Sequence, residues 1–331
     1  MARIGISPTR KAVTRYRPHR VTAVVVVYIP SLEGYYAQRL DILKLTLHSL
    51  RQNTSQPLDV LVFDNGSCAP VLDFLHTAKE SGLVDYLMLS RRNIGKIGAF
   101  QMAFPAAPGE IIASADDDIF FYPGWLEASL QILETFPNTG MVSAVPVRHA
   151  SDRARLSLEK WIARAPEGLR VARKRHIPDE WEADWARSTG RDPQAHLEAT
   201  RHQTDLILQY RGVEAVGTAS HFQFIAPKDA IVKALPQAWT GRLMGQMNEM
   251  EARLDSLGYL RLATPKRYVR HMGNVLNEDF RKEAAALGVS LQGQSEYRPR
   301  QRPHWLLRIP GSGRVLWPLY RYLFRVLHNV E

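Results

Sequence analysis

The sequence predicts an α/β protein whose central sheet is mostly parallel and flanked by helices. Strand-like runs alternate with helix-spaced segments across residues 22–147, the order that builds a largely parallel sheet covered on both faces. These strand runs are apolar throughout rather than alternating, as strands buried on two faces are. At the end of one run stand three adjacent carboxylates, Asp116, Asp117 and Asp118. The carboxyl edge of such a sheet is where α/β proteins bind ligands.

The elements follow in order. Thr22 to Ile29 is a β-branched strand, Pro30 to Tyr36 a loop, and Leu40, Leu43, Leu47 and Leu50 keep helical spacing. Asp59–Phe63 is a second strand, closed by the turn residues Asp64, Asn65, Gly66 and Ser67. Val71, Leu72, Phe74 and Leu75 mark a short helix, and Tyr86–Leu89 a third strand. Gly95–Ala107 supplies a helix, Glu110–Ala113 the fourth strand, Pro123–Phe136 another helix and Gly140–Val145 a strand.

Residues 148–210 change character. They are charged, rich in Arg, Glu and Trp, and read as a helical insertion, clearest at Asp179–Trp185 and Asp192–Tyr210. Gly212–Ala226 returns to strand character, and Leu243–Leu257 is a helix stopped by Gly258. Leu260–Leu262 and Arg267–Arg270 are short strands before His271. The expected organisation is a basic arm (1–20), an α/β domain (21–275) carrying the insertion 148–210, and a basic C-terminal extension (276–331) with an amphipathic helix.

At 331 residues and 45% hydrophobic, the chain can bury a substantial core. Its net charge of +10 sits at the ends. Arg3, Arg10, Lys11, Arg15, Arg17 and Arg20 face no acid within residues 1–20, and seven arginines face only Glu331 within residues 297–331. The body between them is close to neutral. Basic ends suit an anionic membrane or nucleic acid, or serve solubility alone. The single cysteine, Cys68, excludes an intramolecular disulfide and favours a reducing compartment. No apolar stretch approaches the ~20 residues needed to cross a bilayer. The Val21–Ile29 run is too short, and too far along the chain, for a signal peptide.

Three adjacent carboxylates repel one another and fold poorly unless a cation or ligand is shared among them. Hard divalent ions take such oxygen ligands and hold a substrate's phosphates. The competing reading is a solvated acidic turn.

With strand, turn and triplet in order, the chain resembles the family 2 glycosyltransferases of the GT-A fold. The resemblance covers roughly residues 21–146, and more weakly 212–274. It rests on Val26-Val27-Tyr28 at the first strand end, Thr46-Leu47 and Ser49-Leu50 on the first helix, and Phe63-Asp64-Asn65-Gly66-Ser67 after the second strand. Asn93-Ile94-Gly95 and then Asp116-Asp117-Asp118, followed by Pro123-Gly124-Trp125-Leu126-Glu127, complete it. No piece is specific alone; their order and spacing are.

The resemblance implies a metal-dependent transferase acting on a nucleoside diphosphate sugar, inverting the anomeric centre, with Mn²⁺ or Mg²⁺ as cofactor. Asp118 would bind the ion, helped by Asp116 and by His271, while Asp116 or Asp117 reaches ribose hydroxyls. Asp64 would accept a base N–H, favouring UDP or dTDP, with Tyr28 and Pro30 bracketing the base. Asn93 and Lys96 stand at a helix start that suits phosphate. Turn, core and solvated-lysine roles compete for Asp64, Tyr28 and Lys96 respectively.

Relatives place an acidic pair at the start of the helix that ends before Gly258. Here that position reads Gln246-Met247, and neither side chain is a base. Glu249 and Glu251 are the nearest candidates, a surface salt-bridging role being the alternative for Glu251. His221 reads first as a packed strand histidine and second as an acceptor contact.

The expected acceptor is a glycan or lipid-linked hydroxyl, at a peripheral position on the cytoplasmic face of the cell membrane. Arg314, Arg321, Arg325 and His328 share one sector of a C-terminal helix rich in Leu, Phe, Tyr and Trp, which suits an anionic lipid surface or the protein's own body. Sugar nucleotidyl transfer is disfavoured because Tyr28–Tyr36 holds no Arg or Lys. Gln246-Met247 favours a catalytically silent sugar-nucleotide-binding or scaffold protein, and the intact triplet opposes it. No nucleic-acid-binding module is recognisable.

Overall fold

The computed structural model describes residues 5–148, 154–238 and 240–291. Val21–Val27 (β1), Leu58–Asp64 (β2), Tyr86–Leu89 (β3) and Ile111–Asp116 (β4) pair in parallel, in the spatial order β3-β2-β1-β4. Between them run Arg39–Gln52 (α1), Ala69–Glu80 (α2) and Gly95–Ala106 (α3). Beyond β4, Ile119–Phe121 (β5) leaves the main sheet, and Trp125–Thr135 (α4) leads to Thr139–Ser143 (β6).

The strands are buried on both faces because their alternate residues feed two cores. Val21, Ala23, Val25 and Val27 pack with Leu43, Leu47, Leu75 and Leu126 from α1, α2 and α4. Val24 points the other way, toward Ile97, Phe100 and Phe104 of α3. Each such side chain contributes about 1.5–3 kcal/mol when fully buried, so neither face tolerates a polar register.

The insertion is not purely helical. Leu156–Ala163 (α5), Asp179–Ser188 (α6) and Pro193–Ala199 (α7) alternate with strands Arg170–Lys174 (β7) and Asp205–Tyr210 (β8). Val213–Val216 (β9) and Gln223–Pro227 (β10) follow, then Lys228–Ala234 (α8), Met247–Ser256 (α9), Leu260–Ala263 (β11), Val269–His271 (β12) and Glu278–Ala286 (α10). The full sheet order is β3-β2-β1-β4-β10-β6-β11-β9-β8-β7, with β10 antiparallel to β4 and β6. Residues expected as the helix Asp192–Tyr210 therefore split into α7 and a sheet strand. The edge strand β7 escaped notice because it reads Arg-Val-Ala-Arg-Lys and is exposed along its whole length. Charged edges of this kind block further strand pairing.

The β5–β12 pair sets His271 opposite Ile119. Phe120 packs there with Ile42 and Leu45 of α1 and with Phe280 and Ala284 of α10. Residues after 276 thus pack on the body through α10, further along the chain than the expected domain boundary. The expected amphipathic helix within 297–331 lies outside the described residues. Among those described, no helix is long and apolar enough to cross a membrane.

Arg148 ties the insertion to the sheet. Its side chain is fully buried and donates to both oxygens of Asp205 at 3.0 and 3.2 Å, to Asp179 at 3.1 Å and to the Ile177 carbonyl. Replacing it strands Asp205 as an unpaired buried charge, which typically costs about 3–5 kcal/mol. Arg148→Met is therefore expected to lower urea stability by that order, and Arg201→Met, at an exposed pair, by under about 1 kcal/mol. Equal midpoints for the two variants would contradict this.

Candidate active site

The triplet turns the corner between β4 and β5 at the carboxyl edge of the sheet. Asp117 and Asp118 are each 7% exposed, and α1 delivers a cation between them. Arg39 Nη2 donates to Asp117 Oδ1, and Arg39 Nη1 to Asp118 Oδ2 at 2.7 Å. Nη1 also lies 3.1 Å from the Gly273 carbonyl and 3.3 Å from Asn274 Oδ1. Thr46, one face of α1 further on, donates to the Asp117 carbonyl at 3.1 Å. Arg39 escaped the sequence reading, yet a signal existed. A cation at the first residue of a helix opposes the macrodipole, so it needs a specific anion nearby.

Asp116 is more open, and Lys96 of α3 donates to its Oδ1. His271 places Nε2 3.5 Å from Asp118 Oδ2, while its Nδ1 is hydrogen-bonded with Ser188 Oγ of α6 at 3.0 Å. Burial, with repulsion from Asp118 and Asp116, pushes the Asp117 carboxyl up to about 6 despite Arg39. Burial also works against charge on Asp118, but His271, Arg39 and Lys96 outweigh it and hold that carboxyl below the usual carboxylate range.

Asp118 Oδ1 and Asp117 Oδ2 are buried without a hydrogen-bond partner. An orphaned carboxylate oxygen is costly unless a ligand takes it. Among the described residues, no group of three or more His, Cys, Asp and Glu is arranged to cage a cation. Mg²⁺ and its relatives rarely need such a cage, since one or two protein ligands suffice when phosphates supply the rest. Asp118 and His271 are the residues here that could supply such ligands. Asp116, expected as a further ligand, is engaged by Lys96.

The other expected nucleotide contacts divide. Asp64 is 1% exposed and accepts from the Gly66 and Ser67 amides at 3.1 and 3.2 Å, so it builds the turn after β2. Tyr28 is half-buried edge-on to Tyr36, whose ring also meets Tyr35, and Pro30 is exposed beside this cluster. Three amides at the start of α3 are already engaged. Ile94 N donates to Asn65 Oδ1 at 2.9 Å, Gly95 N to Asn93 Oδ1 at 2.8 Å and Lys96 N to the Leu243 carbonyl at 3.1 Å. Gly95 is required there, with φ +76° and the Arg242 carbonyl 2.5 Å from where a Cβ would stand.

Helix α9 begins later than expected. Residues Leu243 and Met244 were expected to be helical, but Gly245 (φ +126°) and Gln246 (φ +58°) break the chain before Met247. Glu249, in the first turn, is exposed and accepts from Gln246 Nε2 at 3.1 Å. Glu251 is 2% exposed, set between His221 Nδ1 at 2.9 Å and Arg261 Nη2 at 3.0 Å. Both of its oxygens are thereby engaged away from solvent.

Residues 35–189 match the family described as Glycosyl transferase family 2. An uncharacterised glycosyltransferase of Nostoc sp. is 23% identical over 111 residues, 34% of this chain and 34% of that protein. The chain thus matches about a third of the length of this curated relative. TarS of S. aureus is similar in structure over 76% of this chain and 60% of its own, at 12% identity and a TM-score of 0.42. A Pyrobaculum calidifontis mannosyltransferase, solved with GDP-Man and Mn²⁺, is 26% identical over 41% of this chain and 37% of its own, with a TM-score of 0.30.

Removing Arg39 leaves two buried carboxylates uncompensated. Arg39→Met should destabilise the protein by about 3–5 kcal/mol at neutral pH. The deficit should shrink in acid. Without the guanidinium both folded-state carboxyls rise, and a raised folded-state value means stability held at low pH is lost as pH climbs through it. Urea midpoints of wild type and variant should therefore differ more at about pH 8 than at about pH 5. A pH-independent gap would contradict this account.

Proposed function

We propose that this protein is a metal-dependent, inverting glycosyltransferase. It moves a sugar from a nucleoside diphosphate sugar to a hydroxyl of a glycan or lipid-linked acceptor, in cell-surface polysaccharide or glycoconjugate synthesis. The observation that carries this reading is the orphaned Oδ1 of Asp118, inside the family-matching segment at the carboxyl edge of the sheet, on a carboxylate whose other oxygen lies 3.5 Å from His271 Nε2.

Asp118 and His271 would hold Mn²⁺ or Mg²⁺, which when bound supplies a Lewis acid that neutralises charge on the departing diphosphate. The chain's own groups do the rest. Lys96 exchanges Asp116 for a phosphate oxygen, releasing Asp116 to the ribose hydroxyls. Arg39 keeps Asp117 and Asp118 in register while the substrate's charge arrives. Tyr28 and Pro30 flank the base, and Asn93 steadies the loop below it. Asp64 has acceptor capacity beyond its two turn amides for the imide N–H of uracil or thymine, which supports UDP or dTDP. Direct displacement by the acceptor hydroxyl inverts the anomeric centre and requires a base on the acceptor side.

Gln246-Met247, standing where an acidic pair is expected, favours a second reading: a silent sugar-nucleotide-binding protein. Nucleotide release from a panel of UDP- and dTDP-sugars, with and without Mn²⁺, separates the two. Asp118→Ala should lower cation-dependent release about 10²-fold or more without unfolding the protein. Wild-type release that survives exhaustive EDTA treatment would contradict the metal role. A wild type that binds UDP yet releases nothing would favour the silent protein.

The proposal extends to location. The basic ends, at about 1 kcal/mol per Lys or Arg near anionic lipid, support peripheral attachment to the cytoplasmic face of the cell membrane. Co-sedimentation with phosphatidylglycerol vesicles should fall on deleting residues 297–331 and on raising salt. Full-length protein that ignores such vesicles at low salt would rule this out.

A further inference from the structure

Direct displacement leaves the acceptor's proton to be taken, and the helix position expected to supply the base holds Gln246 and Met247. Gln246 serves as the cap of α9 and donates to Glu249, whose carboxylate is thereby turned back onto its own helix end. Met247 is buried. The same helix does carry one carboxylate inward, Glu251, and that carboxylate grips an imidazole.

We propose that His221 is the catalytic base of the transfer reaction and that Glu251 is its positioning residue; this rests on the glycosyltransferase reading above. His221 Nδ1 lies 2.9 Å from Glu251 Oε1, while 35% of the His221 side chain remains exposed against 2% for Glu251. The ring therefore spans from a buried carboxylate to the protein surface. Its other nitrogen, Nε2, has no hydrogen-bond partner among the described residues. A carboxylate on Nδ1 selects the tautomer that leaves Nε2 as the acceptor of a proton, and it stabilises the imidazolium that follows.

The chain places this dyad beside the triplet. Strand β10 runs antiparallel to β4, so its leading end lies at the carboxyl edge of β4, where the triplet begins. Phe222, the residue after His221, accepts from the Asp116 amide at 2.9 Å, and its ring meets the His271 ring with centroids 5.6 Å apart. Glu251 is itself fixed from β11 by Arg261, whose Nη2 lies 3.0 Å from Glu251 Oε2 and also donates to the Ala219 carbonyl at 3.0 Å. Glu251 and Arg261 are thus the charged groups behind the imidazole. The step balances: Nε2 takes the acceptor's hydroxyl proton and the acceptor oxygen bonds to the anomeric carbon. The bond from that carbon to the diphosphate oxygen breaks, and its electron pair leaves with the nucleoside diphosphate.

The test uses full-length protein with Mn²⁺ and the UDP- or dTDP-sugar that wild type turns over fastest, read as nucleotide release, with UDP affinity measured by calorimetry. His221→Gln and His221→Ala should lose about 10²–10⁴-fold in rate while UDP affinity stays within about twofold. Added imidazole should restore part of the His221→Ala rate, which a merely structural histidine would not permit. Glu251→Gln should lower kcat with little change in donor KM, and Glu249→Gln should behave as wild type. A His221→Gln enzyme that retains most of its rate overturns the proposal, as does one that loses UDP binding in parallel or a His221→Ala enzyme that imidazole fails to rescue. Loss of activity in Glu249→Gln alone would assign the base to Glu249 instead. Wild type that binds UDP but releases nucleotide from no donor overturns the transfer reading, and this assignment with it.

Discussion

Two carboxylates buried side by side at the end of a strand survive in this fold because a guanidinium lies across both. Arg39 reaches Asp117 and Asp118 from the first turn of α1 and reaches on to Gly273 and Asn274 beyond β12. A single cation thus joins the first helix, the triplet and the His271 loop. The packing around it follows the same demand. Ile42 and Leu45 of α1 press on Phe120, and Phe120 on Phe280, so the helix that carries Arg39 is clamped from the side away from the sheet. Removing the charge or loosening the clamp would leave the carboxylates in low dielectric without compensation, where each is expensive.

Compensation here is incomplete. Arg39 takes one oxygen from each of Asp117 and Asp118 and leaves Asp117 Oδ2 and Asp118 Oδ1 without partners. Lys96 meets Asp116 at the more exposed end of the triplet. The resulting edge is compensated enough to fold yet keeps two buried acceptor oxygens free, which on the proposed function a cation would take. The same economy recurs at α9, with buried Glu251 balanced by Arg261 and lending its other oxygen to His221.

Much of this was legible in the residues. Runs such as Val24-Val25-Val26-Val27 have no face to show water, so a doubly covered parallel strand was the only stable reading. The acidic triplet likewise demanded counter-charge. What remained hidden was hidden for physical reasons. Strand β7 is polar because it is an edge, and an edge strand carries no apolar run to find. The helical spacing of Leu243 and Met244 is real but is overruled by two residues with positive φ. Partners far apart in sequence, such as Arg39 with Asp118 or His221 with Glu251, leave no local pattern. They become visible only when the sheet brings their elements to one edge.

On the proposed function, this edge binds a nucleoside diphosphate through a shared divalent cation. Calorimetric titration of the full-length protein with UDP, in Mn²⁺ and again in EDTA, tests it most directly. The account predicts that chelation weakens UDP binding at least about tenfold, equivalent to about 1.4 kcal/mol. Equal affinity in EDTA, or no UDP binding in either condition, would contradict it.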